Sequence, residues 1–251
     1  MKQGFWTVVK EIVKKADVVI EVLDARMPHL TRIRNIERYT FESNTPLILA
    51  INKADIVSDE TVSKLKDEFH SENFVLISAK TGLHILDLVK RIKTTVKSKE
   101  IKVAIIGYPN TGKSSLINRF SKGGKARTSS ESGFTRGLQL INGRSGFLLF
   151  DTPGVVPYAD RDEVRLGLMS GISPHKLKNP DVVATELIKL FKDKNPKAFS
   201  SVFDVNMDVD PYDILEEVGE KKKLLIKGGE VDERRAAIMV LEFWHKGKLR
   251  L

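Results

Sequence analysis

The chain has 251 residues, with 42 Lys and Arg against 33 Asp and Glu and a formal net charge of +9 at pH 7. This surplus favours a polyanionic partner such as nucleic acid. The absence of cysteine excludes a disulfide framework, and no apolar run is long enough to span a membrane. Because the first residues carry no secretory pattern, we expect a cytoplasmic protein without a membrane partner.

Six segments rich in apolar and β-branched residues predict strands, and most of them lack polar alternation. They cover residues 17–23, 46–51, 73–77, 101–106, 137–141 and 147–150. Strands without alternation are typical of a parallel sheet that is covered on both faces. The segments 59–69 and 83–96 between them have the apolar spacing of helices. This order predicts an α/β fold with a doubly wound, mostly parallel sheet.

The α/β pattern ends before the last third of the chain. The composition changes near residue 174, and the remaining sequence has helical spacing interrupted by turns, in segments 181–191, 211–218 and 231–244. The sequence therefore predicts two domains. The first is an α/β domain of residues 1–174, and the second is a small helical C-terminal domain of residues 175–251.

Residues 52–55, with the sequence Asn-Lys-Ala-Asp, directly follow a predicted buried strand. The Asp55 carboxylate can accept two hydrogen bonds from the N1–H and exocyclic amine of guanine, donors that adenine lacks at these positions. We expect Asn52 to orient this loop and approach the base, and the aliphatic stem of Lys53 to cover the face of the base. Four such residues occur often by chance, so the assignment needs a second motif.

Residues 78–80, with the sequence Ser-Ala-Lys, follow the next strand and supply that second motif. Here we expect the Ala79 N–H to donate to guanine O6. Ser78, Ala79 and Lys80 thus join the predicted base-binding set, and two loops of this kind after neighbouring strands indicate guanine rather than adenine.

Residues 107–114 fit G-x-x-x-x-G-K-[ST], a phosphate-binding loop, between a predicted strand and a predicted helix. The backbone N–H groups of such a loop and of the helix start form a cradle for anions. Lys113 would reach the β- and γ-phosphates, and the Ser114 hydroxyl would bind Mg²⁺. The residues expected to surround the phosphates are Asn110, Thr111, Gly112, Lys113, Ser114 and Ser115.

Three residues further along the chain complete the expected magnesium and γ-phosphate site. Asp151 ends a buried strand, where a carboxylate can hold Mg²⁺ through water. Gly154 has no side chain, so its N–H can approach the γ-phosphate. Thr135 would complete the Mg²⁺ shell from a loop. The expected metal ligands are therefore Ser114, Thr135 and Asp151, and the nucleotides that we expect the protein to bind are GTP and GDP.

The base-reading motifs precede the phosphate loop, the reverse of the order in ordinary GTPases, and this order predicts a circularly permuted P-loop GTPase domain. The chain resembles the circularly permuted GTPases of ribosome assembly, the YlqF, RbgA and YawG family. Residues 24–28, Asp-Ala-Arg-Met-Pro, resemble the D-A-R-x-P segment of that family, although Asp24 and Arg26 also fit a structural ion pair. Residues 219–223 and 227–229 resemble its helical C-terminal domain.

The resemblance implies GTP hydrolysis coupled to assembly of the large ribosomal subunit, with ribosomal RNA or that subunit as partner. Val155 stands where ordinary small GTPases place a water-orienting Gln, so intrinsic hydrolysis should be slow. Some GTPases with this change use K⁺ held by an Asn of the phosphate loop, and Asn110 occupies that position. An N-terminal His found in bacterial relatives is missing here. The expected catalytic residues are Asn110, Lys113, Thr135 and Gly154.

Two other functions remain open at this point. The chain fits an RNA-binding scaffold in which GTP is mainly a structural ligand, because slow chemistry suits such a role. It also fits a GTPase that acts on a protein or metal-delivery pathway, for which the basic charge would be incidental. Stimulation of hydrolysis by ribosomal particles and salt-sensitive RNA binding would separate these functions.

Overall fold

The computed structural model describes residues 3–121, 140–150 and 162–251. Within these residues no helix is long and apolar enough to cross a membrane. The chain divides into two compact units. The first comprises residues 1–55 and 62–159, and the second comprises residues 56–61 and 160–251.

The first unit contains a sheet of six strands. These are β1 (Val18–Asp24), β2 (Leu47–Asn52), β3 (Phe74–Leu76), β4 (Ile101–Ile106), β5 (Leu140–Asn142) and β6 (Phe147–Phe150). The strand order is β3-β2-β1-β4-β6-β5, and all neighbours are parallel except β5 and β6. The predicted doubly wound, mostly parallel sheet is thereby confirmed.

Six α-helices accompany this sheet in the described residues. They are α1 (Gln3–Lys15), α2 (Pro28–Thr31), α3 (Arg34–Glu42), α4 (Asp59–Glu68), α5 (Ile85–Thr95) and α6 (Lys113–Phe120). The first three residues of α4 are assigned to the second unit. The bounds of α4 and α5 agree with the helices predicted over 59–69 and 83–96. Leu88 of α5 and Leu116 of α6 belong to the same buried core cluster as Ile20 of β1.

Every residue of β1 is buried, which is why its sequence shows no polar alternation. Ile20 and Val22 point to the face that α5 and α6 cover. Glu21 points to the other face, where its Oε1 accepts the N–H of Ile33 at 2.5 Å, just before α3. A carboxyl group thus lies in the centre of the sheet, fully buried.

The second unit is helical. Its helices are α7 (Glu163–Leu168), α8 (Pro180–Lys194), α9 (Pro196–Phe203), α10 (Pro211–Lys221) and α11 (Glu233–His245). Buried aromatic rings form its centre, with the Phe191 and Trp244 centroids 5.8 Å apart at near right angles. The Trp244 indole N–H donates to Leu168 O at 2.7 Å, so the ring is satisfied at its polar end as well.

The domain boundary expected at residue 174 stays a prediction. Residues 160–174 belong to the second unit, because α7 packs closely on α8: a side chain on Gly167 would come within 2.6 Å of Val183 Cγ1. Residues 56–61 also belong to it, and Ser58 N–H donates to Leu251 O at 3.0 Å. Helix α7 ends before the composition changes near residue 174. Composition alone therefore does not show to which unit this helix belongs.

The buried position of Glu21 has an electrostatic consequence. Burial, together with the charge of Glu37, raises the pKa of Glu21 from 4.5 to about 8, and the Ile33 N–H opposes this only in part. Glu21 Oε2 has no hydrogen-bond partner within the described residues. The folded protein therefore holds this carboxyl protonated at pH values where the unfolded chain has released the proton.

We predict that the folding stability contributed by Glu21 is complete below pH 4.5 and is lost as the pH rises to about 8. Glu21→Gln keeps a neutral group of the same shape and should remove this dependence. Urea unfolding from pH 5 to 8.5 should show the variant gaining free energy of unfolding over the parent as the pH rises. The exposed Glu100→Gln serves as the control, and equal pH profiles for parent and Glu21→Gln would contradict the prediction.

Candidate guanine nucleotide site

The predicted nucleotide-binding residues meet at one edge of the sheet. Strands β1, β2, β3 and β4 are parallel, so their carboxyl ends share that edge. Asn52 ends β2 and is paired with Asp24 at the end of β1, the 78–80 loop follows β3, and the phosphate loop follows β4. Ligands of open α/β sheets bind at this edge.

The side chain of Asn52 joins the three loops. Its Nδ2 donates to Thr111 O of the phosphate loop at 2.7 Å, and its Oδ1 accepts the N–H of Ala79 at 2.8 Å. Asn52 is buried, and both ends of its amide are used. The sequence predicted that Asn52 orients its loop, and the structure shows it tying that loop to the other two.

Gly112 is required by this arrangement. Its φ of +103° lies in the left-handed region that favours glycine. A Cβ at this position would stand 2.0 Å from Asn52 Nδ2. Because the second glycine of the phosphate-loop motif has no side chain, the Asn52 amide fits against it.

Lys113 begins α6 and is buried. Its Nζ donates to Tyr108 O at 2.5 Å, and the Thr111 hydroxyl donates to the same oxygen at 2.9 Å. Burial lowers the pKa of Lys113 from 10.5 to about 8. The ammonium group therefore lies beside a neutral carbonyl. A bound phosphate would supply a negative charge that stabilises this buried cation.

Three other candidate residues lie at the start of α6 or shortly before it. Ser114 and Ser115 are exposed in the first turn of α6, where the helix N–H groups favour anions. Asn110 is exposed with a φ of +60°, a conformation that Asn tolerates better than most residues. The Ser114 hydroxyl is exposed, and its contact with Mg²⁺ stays a prediction.

The ammonium group of Lys53 binds a carboxylate of the neighbouring strand. Its Nζ donates to Asp24 Oδ2 at 2.6 Å, and the contact of its stem with the base stays a prediction. Arg26 binds the same carboxylate through Nε at 3.0 Å and Nη2 at 2.7 Å, which confirms the structural ion pair. The three side chains form a buried cluster that links the segment after β1 to the first base motif.

The charges within this cluster shift each other's titration. Burial alone would raise the pKa of Asp24, but the Arg26 guanidinium and then the Lys53 ammonium lower it well below its ordinary value. The pKa of Lys53 is lowered, because burial outweighs the attraction of Asp24. The Asp24 carboxyl group is therefore ionised, and it binds both cations.

The two base-reading loops follow β2 and β3. Asp55 is half-buried in the short turn that follows Lys53, and Lys80 is exposed. The buried Ser78 Oγ accepts the N–H of Thr81 at 3.1 Å and so closes its own loop. The Ala79 N–H, which we assigned to guanine O6, donates to Asn52 in this structure, and its contact with the base stays a prediction.

Sequence reasoning missed Arg119. This residue of α6 donates from Nε to Ala79 O at 2.9 Å and from Nη2 to Lys80 O at 2.6 Å. The helix that presents the phosphate loop thus also holds the second base loop by its carbonyl groups. No motif contains Arg119, and its position near the end of a short helix gave no signal of this role.

Thr135, Asp151 and Gly154 lie outside the described residues, so their expected roles stay predictions. Within the described ranges no group of three or more His, Asp and Glu side chains could hold a metal ion. In that part of the chain the predicted metal ligand is therefore the hydroxyl of Ser114.

We predict that the affinity for GDP weakens as the pH rises above about 8. The pKa of Lys113 is lowered to about 8, so its charge is lost above that pH in the nucleotide-free protein. Between pH 7 and 9 the dissociation constant of a fluorescent GDP analogue should rise about tenfold, since a group one unit above its pKa is about nine-tenths deprotonated. Lys113→Met retains any titration of guanine itself and should give a flatter profile; parallel profiles would contradict the assignment.

We predict that Asp24→Asn lowers the free energy of unfolding by about 3–5 kcal/mol, because it removes the buried carboxylate that binds Arg26 and Lys53. Urea unfolding without nucleotide measures this change. The matched control is Asp87→Asn, which removes an exposed carboxylate paired with His84 and should cost under about 1 kcal/mol. Similar losses in the two variants would show that the buried cluster contributes little.

Comparisons with known proteins agree with this site. The RsgA GTPase family matches residues 3–159, and the family described as 50S ribosome-binding GTPase matches residues 102–223. An uncharacterized GTP-binding protein of Methanocaldococcus jannaschii is 36% identical over 245 residues, covering 96% of this chain and 65% of that protein. Nucleolar GTP-binding protein 2 of Schizosaccharomyces pombe is 30% identical over 254 residues, covering 97% and 47%. The chain thus spans less than two thirds of either relative.

Solved structures share the fold. GNP-bound YlqF from T. maritima has a TM-score of 0.65 at 21% identity, covering 98% of this chain and 94% of that one. GDP-bound YlqF has a TM-score of 0.67 at 21% identity, covering 97% and 96%. The RsgA GTPase match extends over more than half of the chain, and the base-reading motifs precede the phosphate loop in a fold shared with YlqF. The chain therefore belongs to the RsgA GTPase family and is a circularly permuted GTPase.

Proposed function

We propose that this GTPase hydrolyses GTP to GDP and phosphate in a Mg²⁺-dependent reaction that large ribosomal subunits stimulate, and that it acts in the cytoplasm as a switch in the assembly of that subunit. The observation that carries the proposal is the Asn52 amide, which joins Ala79 and Thr111 and so brings the base-reading and phosphate-binding loops into one site. The 50S ribosome-binding GTPase match and the nucleolar relatives support the ribosomal part.

Different residues bind the guanine base and the phosphates of GTP. Asp55 reads the guanine edge, the first turn of α6 surrounds the phosphates, and Lys113 neutralises the β- and γ-phosphates. Ser114 is the candidate Mg²⁺ ligand, with Thr135 and Asp151. A Mg²⁺ ion held by these residues would offset negative charge on the phosphates.

Hydrolysis requires a water molecule placed in line with the γ-phosphate. Val155 follows the switch glycine and has no polar atom to orient this water, so this chain alone should hydrolyse GTP slowly. The exposed Asn110 is the candidate ligand for K⁺, a cation that can offset charge in the transition state. A bound ribosomal subunit would supply the remaining groups.

The alternative is an RNA-binding scaffold in which GTP mainly stabilises the fold. Val155 favours this alternative as well, because a scaffold does not require rapid hydrolysis. The two functions differ in what ribosomal particles do to the rate: a switch is stimulated, whereas a scaffold is not.

We predict that purified large ribosomal subunits raise the rate of GTP turnover by at least about tenfold in KCl, since removing a single charge-stabilising group from such sites costs that much or more. Replacing KCl with NaCl at the same ionic strength should lower the stimulated rate. Phosphate release is the measurement, and small ribosomal subunits are the control particle.

Asn110→Ala tests the ion separately. This variant should have the same rate in KCl and in NaCl while it still binds GDP. A rate that neither the particle nor the salt changes would refute the switch and favour the scaffold. Stimulation without any difference between the salts would keep the switch and remove K⁺ from it.

A further inference from the structure

The segment from α5 to the start of β4 carries unbalanced positive charge. Residues 85–102 contain six Lys or Arg and two Asp or Glu. One of the acids, Asp87, is paired with His84 at 2.7 Å, and Arg91 donates to Asn73 Oδ1 at 3.2 Å. Five lysines are left, and we call them the basic segment: Lys90, Lys93, Lys97, Lys99 and Lys102.

All five lysines are exposed, and within the described residues none of them forms an ion pair. Leu88 and Ile92 turn the inner face of α5 to the core, which leaves Lys90 and Lys93 on the outer face. Residues three apart on a helix are neighbours, about 5–6 Å apart at Cβ. Lys97 and Lys99 continue the charge into the connection to β4.

This pattern differs from that of α3 in the same unit. The exposed arginines of α3 are matched by glutamates of their own helix: Arg34 with Glu37 at 3.2 Å and Arg38 with Glu42 at 3.6 Å. The basic segment has no such partners among the described residues. Residues 85–102 thus contribute four of the eight surplus positive charges of residues 1–174, which hold 27 Lys and Arg against 19 Asp and Glu.

The position of the segment separates it from the nucleotide. Helix α5 is the crossover between the parallel strands β3 and β4, so it starts beside the 78–80 loop and returns to the amino edge of the sheet. Lys102 is at the start of β4, whereas the phosphate loop follows the end of that strand. A ligand on the basic segment would not compete with GTP.

We propose that the basic segment binds the phosphate backbone of RNA at a surface separate from the nucleotide site. This inference rests on the proposed ribosomal function for the choice of RNA as the polyanion. Lysine ammonium groups contact phosphates as point charges and read no base sequence, so the surface fixes the position of the protein on RNA rather than selecting a sequence. Each lost contact should lower the dependence of log affinity on log salt by about 0.7–0.9.

The test is the triple variant Lys90→Gln, Lys93→Gln and Lys97→Gln in the whole chain. The probe is a fluorescein-labelled RNA hairpin of about 30 nucleotides, long enough to offer several phosphates to one surface, titrated in a KCl series and followed by anisotropy. The matched control replaces exposed lysines of the helical unit, Lys176, Lys194 and Lys197, with Gln and so removes the same charge. GDP affinity should be unchanged in both variants, which shows that each is folded.

The basic-segment variant should bind the hairpin at least about tenfold more weakly, with its salt slope reduced by about 2, and the control should keep most of the slope of the parent. Three results would overturn the inference: the same slope in the basic-segment variant and the parent, an equal loss in both variants, or no salt-sensitive binding by the parent. Displacement of the hairpin by polyglutamate as readily as by unlabelled RNA would overturn the choice of RNA and favour an acidic protein.

The GTP turnover assay separates this inference from the function on which it rests. If large subunits fail to stimulate the parent while the two triple variants still differ on RNA, the proposed switch fails and the RNA surface stands. If large subunits stimulate the parent and the basic-segment variant binds RNA like the parent, the switch stands and the surface is wrong.

Discussion

The site depends on the two hydrogen bonds of one buried amide. Asn52 donates to the phosphate loop and accepts from the second base loop, so its own loop, which carries the first base motif, is fixed to both. A shift of any of the three loops would leave a buried polar group without a partner, at a cost of about 1–3 kcal/mol. The bare backbone of Gly112 leaves the room for this amide. These bonds join loops that are neighbours at the edge of the sheet. They therefore do not depend on the order in which the loops occur along the chain.

The two lysines of the site differ in their partners. Lys53 donates to the Asp24 carboxylate, which it shares with Arg26, so it has an anionic partner before any nucleotide arrives. Lys113 lies against the Tyr108 carbonyl, which is neutral, and burial lowers its pKa to about 8. The positive charge that lacks an anion is thus the one that the phosphates reach. Asp24, at the end of β1, is the anion at the base end of the site, and the phosphates of the ligand would be the anion at the phosphate end.

The sequence was sufficient for the fold and for the identity of the site, because both are encoded in local patterns. Unalternating strands predicted the parallel sheet, and the strand–loop–helix context of residues 107–114 predicted the phosphate loop. The partners of individual side chains were less accessible. The contact of Lys53 with Asp24, the use of the Ala79 N–H by Asn52, and the contacts of Arg119 all join segments that are distant in the chain. They follow from how neighbouring elements are aligned, which no single motif contains.

The central place of β1 has a consequence for how the chain can be made. β1 is paired with β2 on one side and with β4 on the other, and Val18 is aligned with Val103. In a chain synthesised from its amino end, β1 emerges early with one side open, and it stays so until the residues of β4 have followed. The Asn52 amide likewise finds its acceptor only when Thr111 is present. Because of the permuted order, the nucleotide site can be completed only after the second half of the GTPase unit has been synthesised. The base-reading loops are made first, but they cannot take their final positions until the phosphate loop is present.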